Sequence, residues 1–277
     1  MWKQYVIETT RGKFEYFHKG EGEPLCVSHL YSQYNEKGNT FAEPFTKHYS
    51  VYLINLRGCD KSDQASSDEA YSMSETVKDL EAIREALEFE QWAFAGHSTG
   101  GMLALVYAIE AYHSLTKIIA GGTAASKAYI YHKGSIYCKE NEHFTRIMNI
   151  MDALNSPHTP KEKRQALDKE WALMSFFSEE KFEKALKLPN SGKVVGDRLN
   201  YFIQIECKTY DVREKLKDVK IPSFIYCGKY DAQCPYEFSK EIAELIPFST
   251  MTTFEESNHN PFVEEMKKFE MFVKSTL

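Results

Sequence analysis

No stretch of this chain approaches the roughly 18–20 consecutive apolar residues that a membrane-crossing helix needs, so no membrane partner is expected. Residues Met1 to Thr10 lack a basic start followed by an apolar segment, so no secretory signal is expected either. The six cysteines (Cys26, Cys59, Cys138, Cys207, Cys227 and Cys234) form no C-x-x-C pair. They read as reduced, mostly buried thiols of a cytoplasmic protein. Zinc-ligand spacings are absent, and neither a metal nor a cofactor is expected. There is no basic excess: 34 Lys and Arg against 40 Asp and Glu leave a net charge of -6, which argues against nucleic acid as a partner. No internal repeat or low-complexity tract interrupts the chain.

What remains is an ordinary globular composition over 277 residues, 43% hydrophobic and 27% charged, enough for one large domain or one domain with an inserted lobe. Val6 to Thr9 and Lys13 to Phe17 flank Arg11-Gly12 as a hairpin. Leu25 to Ser28 and Val51 to Asn55 read as buried strands. Ser72-Met73-Ser74-Glu75 is a capping box ahead of a helix with Val77, Leu80, Ile83, Arg84 and Leu87 on one face. Trp92 to Ala95 and Lys117 to Ala120 are strands around an apolar helix over Met102 to Tyr112. From 124 to 208 strand signals vanish, and an all-helical insertion is expected. The strand–helix rhythm resumes with Pro222 to Cys227, Tyr236 to Leu245, Thr250 to Phe254 and a last helix over Phe262 to Val273. Alternation of this kind predicts a parallel sheet covered on both faces.

The chemistry concentrates in Gly96-His97-Ser98-Thr99-Gly100, a G-x-S-x-G sequence between a predicted strand and a predicted helix. A serine on such a strained turn needs neighbours without bulk two residues away on either side. The helix behind it offers free N–H groups to a developing oxyanion. A serine alone is a weak nucleophile and needs a base and an orienting acid. Asp231 and His259 lie just beyond two predicted strands, in the order Ser, Asp, His. Open α/β sheets build their sites at those carboxyl ends. Ser98 is the expected nucleophile, His259 the general base and Asp231 the acid.

These motifs resemble the α/β-hydrolase superfamily, in the branch of prolyl iminopeptidase-like and carboxylesterase-like enzymes, over essentially the whole chain. The resemblance implies a mostly parallel eight-stranded sheet with helices on both faces. It divides the chain into a core over 1–123 and 209–277 and a helical cap over 124–208. The family's histidine-glycine oxyanion loop corresponds to Ser28-His29-Leu30-Tyr31, with Leu30 in the glycine's place. It implies an oxyanion hole from the N–H groups of Thr99 and Tyr31, with His29 bracing the loop. The family's aspartate-x-arginine-glycine-x-glycine-x-serine stretch reads Asn55-Leu56-Arg57-Gly58-Cys59-Asp60-Lys61-Ser62, departing at Asn55 and Asp60.

Among side chains that could meet substrate, Leu30, His97, Tyr129, Trp171 and Phe176 are singled out. Tyr131, Phe144, Met148, Met151, Met174 and Phe177 could also line the pocket or form the cap's own core. Two-step acyl transfer on a small or medium carboxylic ester or lactone with an apolar acyl part is the expected reaction, by a monomer or small homo-oligomer. The alternatives are an aminopeptidase of the prolyl iminopeptidase type, C–C bond hydrolysis or lyase chemistry, and a non-catalytic or single-turnover ligand sensor. For the aminopeptidase, the family's carboxylate for the substrate amine falls near Leu199, so Glu206 or another cap acid would have to replace it.

Overall fold

Apolar segments alternating with amphipathic helices fold here into one eight-stranded sheet in a computed structural model that describes residues 1–156 and 158–277. The hairpin is β1 (Lys3–Thr9) and β2 (Gly12–Lys19), followed by β3 (Glu23–Val27), the two-residue β4 (Ser32–Gln33) and β5 (Tyr49–Asn55). Then come α1 (Met73–Ala86), β6 (Trp92–His97), α2 (Thr99–Glu110) and β7 (Leu115–Gly121). The next stretch carries α3 (Phe144–Asn155), α4 (Lys161–Leu173), α5 (Glu179–Ala185), the two-residue β8 (Lys193–Val194) and α6 (Gly196–Tyr201). A π-helical turn, Phe202–Glu206, leads through α7 (Arg213–Leu216) to β9 (Ser223–Gly228). The chain ends with α8 (Tyr236–Leu245), β10 (Ser249–Phe254), α9 (Pro261–Glu264) and α10 (Met266–Ser275).

The sheet order is β1-β2-β5-β3-β6-β7-β9-β10. The β1–β2 and β2–β5 pairs are antiparallel and the remaining pairs are parallel. Every residue of β6 is buried, as expected of a strand covered on both faces. One core cluster packs α1, α2 and α8 on one face, and a second packs α10 on the other. Strand order reverses between β3 and β6. The crevice at their carboxyl ends, where such sheets place ligands, therefore lies between the His29 loop and Ser98.

Three expectations need correction. The stretch from 124 to 208 is not all helical, because β8 pairs antiparallel with β4, Ser32 opposite Val194 and Gln33 opposite Lys193. A two-residue ladder is too short to leave a periodic signal. The final helix is broken at Glu265, whose backbone stands at φ -129° and ψ 53°. The carboxylates at the break are drawn to loop donors: Glu264 accepts from Asn258 N and Asn260 N, and Glu265 from Glu256 N and the Ser257 hydroxyl. The capping box is half made. Ser72 Oγ accepts from Glu75 N at 3.2 Å, but the Glu75 side chain turns to Arg11 and Lys78.

The departures in the Asn55–Ser62 stretch also find their reason. Asn55 is buried, accepts from Tyr34 N at 2.7 Å and donates to Glu15 Oε2 at 2.6 Å. Asp60 holds the left-handed turn (φ 39°) where the family carries glycine. Arg57 binds the buried carboxylate of Asp79 through Nε (2.9 Å) and Nη2 (2.8 Å).

One buried cation ties α6 to the core. Arg198 is 1% exposed. It donates to the Leu30 carbonyl, to the Arg57 carbonyl at 3.1 Å and to Thr76 Oγ1 at 2.8 Å. A planar guanidinium spreads donors from three nitrogens over these acceptors at once, which the single nitrogen of a lysine ammonium cannot reproduce. Arg198→Lys is expected to lower the unfolding free energy by about 3 kcal/mol, the scale of losing hydrogen bonds made by a buried charge. Urea denaturation measures this, and a loss below about 0.5 kcal/mol would show that the clamp is not structural.

Candidate active site

The turn between β6 and α2 carries Ser98 at φ 58° and ψ -123°, a region that costs a non-glycine residue conformational energy. Its geometry demands the flanking glycines. A Cβ on Gly96 would lie 1.9 Å from the Gly100 carbonyl oxygen, and one on Gly100 would lie 2.5 Å from that of Ser28. The turn is held by Ser98 N, which donates to the Gly121 carbonyl at 2.9 Å. Ser98 remains partly exposed at the helix N-terminus, where Thr99 opens α2 with an N–H that has no acceptor within the helix.

His259 and Asp231 meet from the loops after β10 and β9. His259 Nδ1 lies 3.0 Å from Asp231 Oδ1 and 2.9 Å from Oδ2, with both side chains buried. A carboxylate only accepts, so Nδ1 is the donor in this pair. Asp231 is itself fixed. Its Oδ1 accepts from Gln233 N and Cys234 N, each at 2.9 Å, and its Oδ2 from the Cys227 thiol at 3.7 Å. Among the hydrogen bonds of the described residues none joins Ser98 Oγ to His259. Such bonds are commonly loose before substrate binds. Proximity comes through the neighbouring residue instead, since the His97 and His259 rings stand 4.5 Å apart.

His97 is placed beneath the base rather than against a substrate. Its Nδ1 lies 2.9 Å from the Tyr226 hydroxyl, and its ring packs on Phe262 at 5.0 Å. Burial, then the nearby His259 and His29, hold it well below the ordinary histidine range, so it is neutral. Gly122, at φ 54°, makes room for the group: a Cβ there would lie 2.5 Å from His97 Cε1 and 3.2 Å from Asp231 Oδ2.

His29 braces the facing loop. Its Nε2 lies 3.1 Å from Thr99 Oγ1 and its Nδ1 2.9 Å from Ser32 Oγ. Burial, then His259 and Arg198, bring it down to about 3, so it is neutral in any working range. Tyr31 N faces His29 Nδ1 at 3.4 Å, a long bond that an oxyanion could replace. Burial pushes the Tyr31 phenol up to about 12, opposed by a side-chain hydrogen bond with Thr99. Leu30 is buried in the larger core cluster.

The cap residues divide. Tyr131 and Phe177 are exposed to solvent, at 69% and 42%, and do not line an interior pocket. Phe176 packs against the second core cluster and edge-on to Phe182 at 5.3 Å. Phe144, Met148, Met151 and Met174 are half-buried, while Ile147, Ile150 and Leu167 of the same helices are buried. Tyr129 is buried in the larger cluster and Trp171 is half-buried.

Sequence reasoning missed the strap between cap and site. Ser175 O accepts from His259 N at 3.2 Å and from Asn260 Nδ2 at 3.0 Å. Gln233 donates to Ser175 Oγ at 2.8 Å and accepts from the Tyr137 hydroxyl at 2.9 Å. The only sequence signal for Gln233 was its place two residues after Asp231. No group of three or more His, Cys, Asp or Glu among the described residues could hold a metal ion. No helix among them is long and apolar enough to cross a membrane.

A family model described as the alpha/beta hydrolase fold matches residues 17–266. The chain belongs to the α/β-hydrolase family. It is a hydrolase. It is similar to an alpha/beta fold family hydrolase from Bacillus anthracis str. Sterne, with 70% identity, all of both chains covered and a TM-score of 0.99. It is 24% identical to a proline iminopeptidase of Heyndrickxia coagulans, over 97% of this chain and 96% of that one. It is 23% identical to a pimeloyl-[acyl-carrier protein] methyl ester esterase of Aliivibrio salmonicida, over 91% of this chain and 90% of that one.

Glu206 is not placed to receive a substrate amine. Its Oε1 accepts from Met73 N, at the start of α1, at 2.7 Å. The next residue, Ser74, bonds Glu110 at the far end of α2 from Ser98. Burial pushes the Glu206 carboxyl up to about 7 from 4.5, opposed by the Met73 N–H and by Arg198, and its Oε2 is buried without a partner. The folded chain holds this proton more tightly than the unfolded one. Its stabilising contribution is present below the ordinary carboxyl value and is lost as pH rises towards about 7. Glu206→Gln keeps the acceptor and removes the ionisation. It is expected to match the parent near about pH 4.5 and to exceed its unfolding free energy by on the order of 2 kcal/mol at about pH 8. Urea titrations at both values test this, and a pH-independent difference would contradict it.

Proposed function

We propose that this hydrolase is a serine esterase or lactonase that works by two-step acyl transfer. The observation that carries the reading is the buried, doubly contacted Asp231–His259 pair set beside a serine held at φ 58°. His259 Nε2 takes the proton of Ser98 as Oγ attacks the carbonyl carbon. The oxyanion forms against the N–H groups of Thr99 and Tyr31. His259 returns the proton to the leaving alcohol, then activates the water that releases the acyl group. Asp231 stays ionised and stabilises the imidazolium. His97 and His29 are neutral supports that add no competing charge.

Two features favour esters over N-terminal amides. The cap acid considered for an ammonium group caps α1 instead, and Leu199 stands near the place where the peptidase relatives bring a carboxylate. The aminopeptidase reading keeps support from the name of the Heyndrickxia relative. Fluorophosphonate labelling is expected once, at Ser98, and Ser98→Ala abolishes label and turnover. Asp231→Asn is expected to fold and to lose on the order of 10⁴ in kcat, the size of a tautomer error. A loss under about tenfold would move the acid elsewhere. Relative to uncatalysed rates, p-nitrophenyl esters are expected to outrun proline p-nitroanilide. A strong anilide activity that N-acetylation abolishes would reverse the choice.

A further inference from the structure

A general base must be aimed, and the aim of an imidazole starts from the two peptide planes that flank its Cα. In the loop after β10 three successive N–H groups, those of Asn258, His259 and Asn260, find acceptors in other elements. Glu264 Oε1 accepts from Asn258 N and from Asn260 N, each at 3.0 Å, and Ser175 O accepts from His259 N at 3.2 Å. The other oxygen of Glu264, Oε2, accepts at 2.6 Å from Phe177 N, 87 positions away in the cap. One buried carboxylate at the end of α9 thus holds the residue before the base, the residue after it and the cap segment that carries Ser175.

The same loop is laced to the acid. Asn258 Oδ1 accepts from Ala232 N at 2.8 Å, and the Ser257 carbonyl accepts from Tyr230 N at 3.0 Å, so bonds run to both neighbours of Asp231. The loops touch without side chains between them: a Cβ on Gly228 would lie 1.9 Å from the Asn258 carbonyl oxygen. Glu264 holds the base loop from its other end. A carboxylate offers lone pairs on both oxygens. A glutamine there would offer one oxygen and turn an NH₂ group towards either Phe177 N or the Asn258 and Asn260 pair.

We infer that Glu264 is a positioning residue for His259: its carboxylate locks the base loop to the cap through Phe177, and so aligns the imidazole with Asp231 and Ser98. It acts through the backbone of the base loop and not through the substrate. This rests on the reading of His259 as the general base of acyl transfer. The next residue supplies the comparison. Glu265 also braces this region, on Glu256 N at 2.9 Å and the Ser257 hydroxyl at 2.7 Å, but its hydrogen bonds among the described residues reach neither flank of His259 nor the cap.

The test measures p-nitrophenyl acetate turnover and fluorophosphonate labelling in Glu264→Gln and Glu265→Gln, with kcat counted per labelled site. Glu264→Gln is expected to lower kcat by about 10²-fold, the cost of a misplacement remote from the chemistry, with KM within about threefold of the parent. Glu265→Gln is expected to keep kcat within about twofold. A far-downfield proton NMR signal, assigned to His259 Nδ1–H by its loss in Asp231→Asn, is expected to persist in Glu265→Gln and to broaden or vanish in Glu264→Gln. Should Glu264→Gln not fold, Glu264→Asp, whose carboxylate is one methylene short of the three N–H groups, is read in the same way. A kcat within about twofold of the parent in the Glu264 variant, equal losses at both positions, or an undisturbed Nδ1–H signal overturns the assignment. If the parent neither labels nor turns over, the acyl-transfer proposal falls alone, and the Nδ1–H signal still decides whether Glu264 aligns the pair.

Discussion

The architecture of this site hangs on one strained residue. Ser98 stands at φ 58° because β6 must end and α2 must begin within a single residue. That sharp reversal lifts the side chain above the sheet and leaves the first N–H groups of α2 pointing where charge can develop. It is possible only because Gly96 and Gly100 have no side chains, as added Cβ atoms there would strike backbone oxygens at 1.9 and 2.5 Å. The strain is met by the rest of the fold. Ser98 N is anchored on β7, the central strand is wholly buried, and both faces of the sheet are packed. A local cost of about 1–3 kcal/mol is small against such a framework.

From that turn the polar groups spread outward in connected pairs. His29 joins the facing loop to Thr99, and Arg198 joins the same loop to α6. Asp231 is held by its own loop through two backbone N–H groups, so its direction does not depend on the base alone. Gln233 and Ser175 then link the acid and base loops to the cap. Cap position and imidazole orientation are thereby coupled. His97 and His29, both held neutral by burial, bring no charge to the Asp231–His259 pair.

Much of this was legible in the sequence. The strands from Trp92, Lys117, Pro222 and Thr250 lie within a few residues of their observed bounds, and α8 matches its expected span. The places of Ser98, Asp231 and His259 just past strand ends were legible because a glycine-flanked serine and two strand-end loops are local features. The unread parts are relations between distant segments. The β4–β8 ladder is two residues long, the Ser175–His259 bond spans 84 positions, and the break at Glu265 is made by loop N–H groups in the preceding turn. An acid in a helical cap looks the same in sequence whether it faces a pocket or, as Glu206 does, the start of α1. Trp171 and Phe176 look alike in sequence too. Only packing separates a half-buried indole beside Tyr137 from a ring set against the core.

The central claim is that Ser98 carries the acyl group between two chemical steps. Rapid quenching of the enzyme with p-nitrophenyl acetate, followed by peptide mass spectrometry, tests it most directly. The account predicts a transient acetyl group on the peptide containing Ser98, forming with the first burst of nitrophenol and decaying at the steady-state rate. Steady turnover with no acetyl group on Ser98 at any time, or an acetyl group on another residue that forms and decays at those rates, would contradict it.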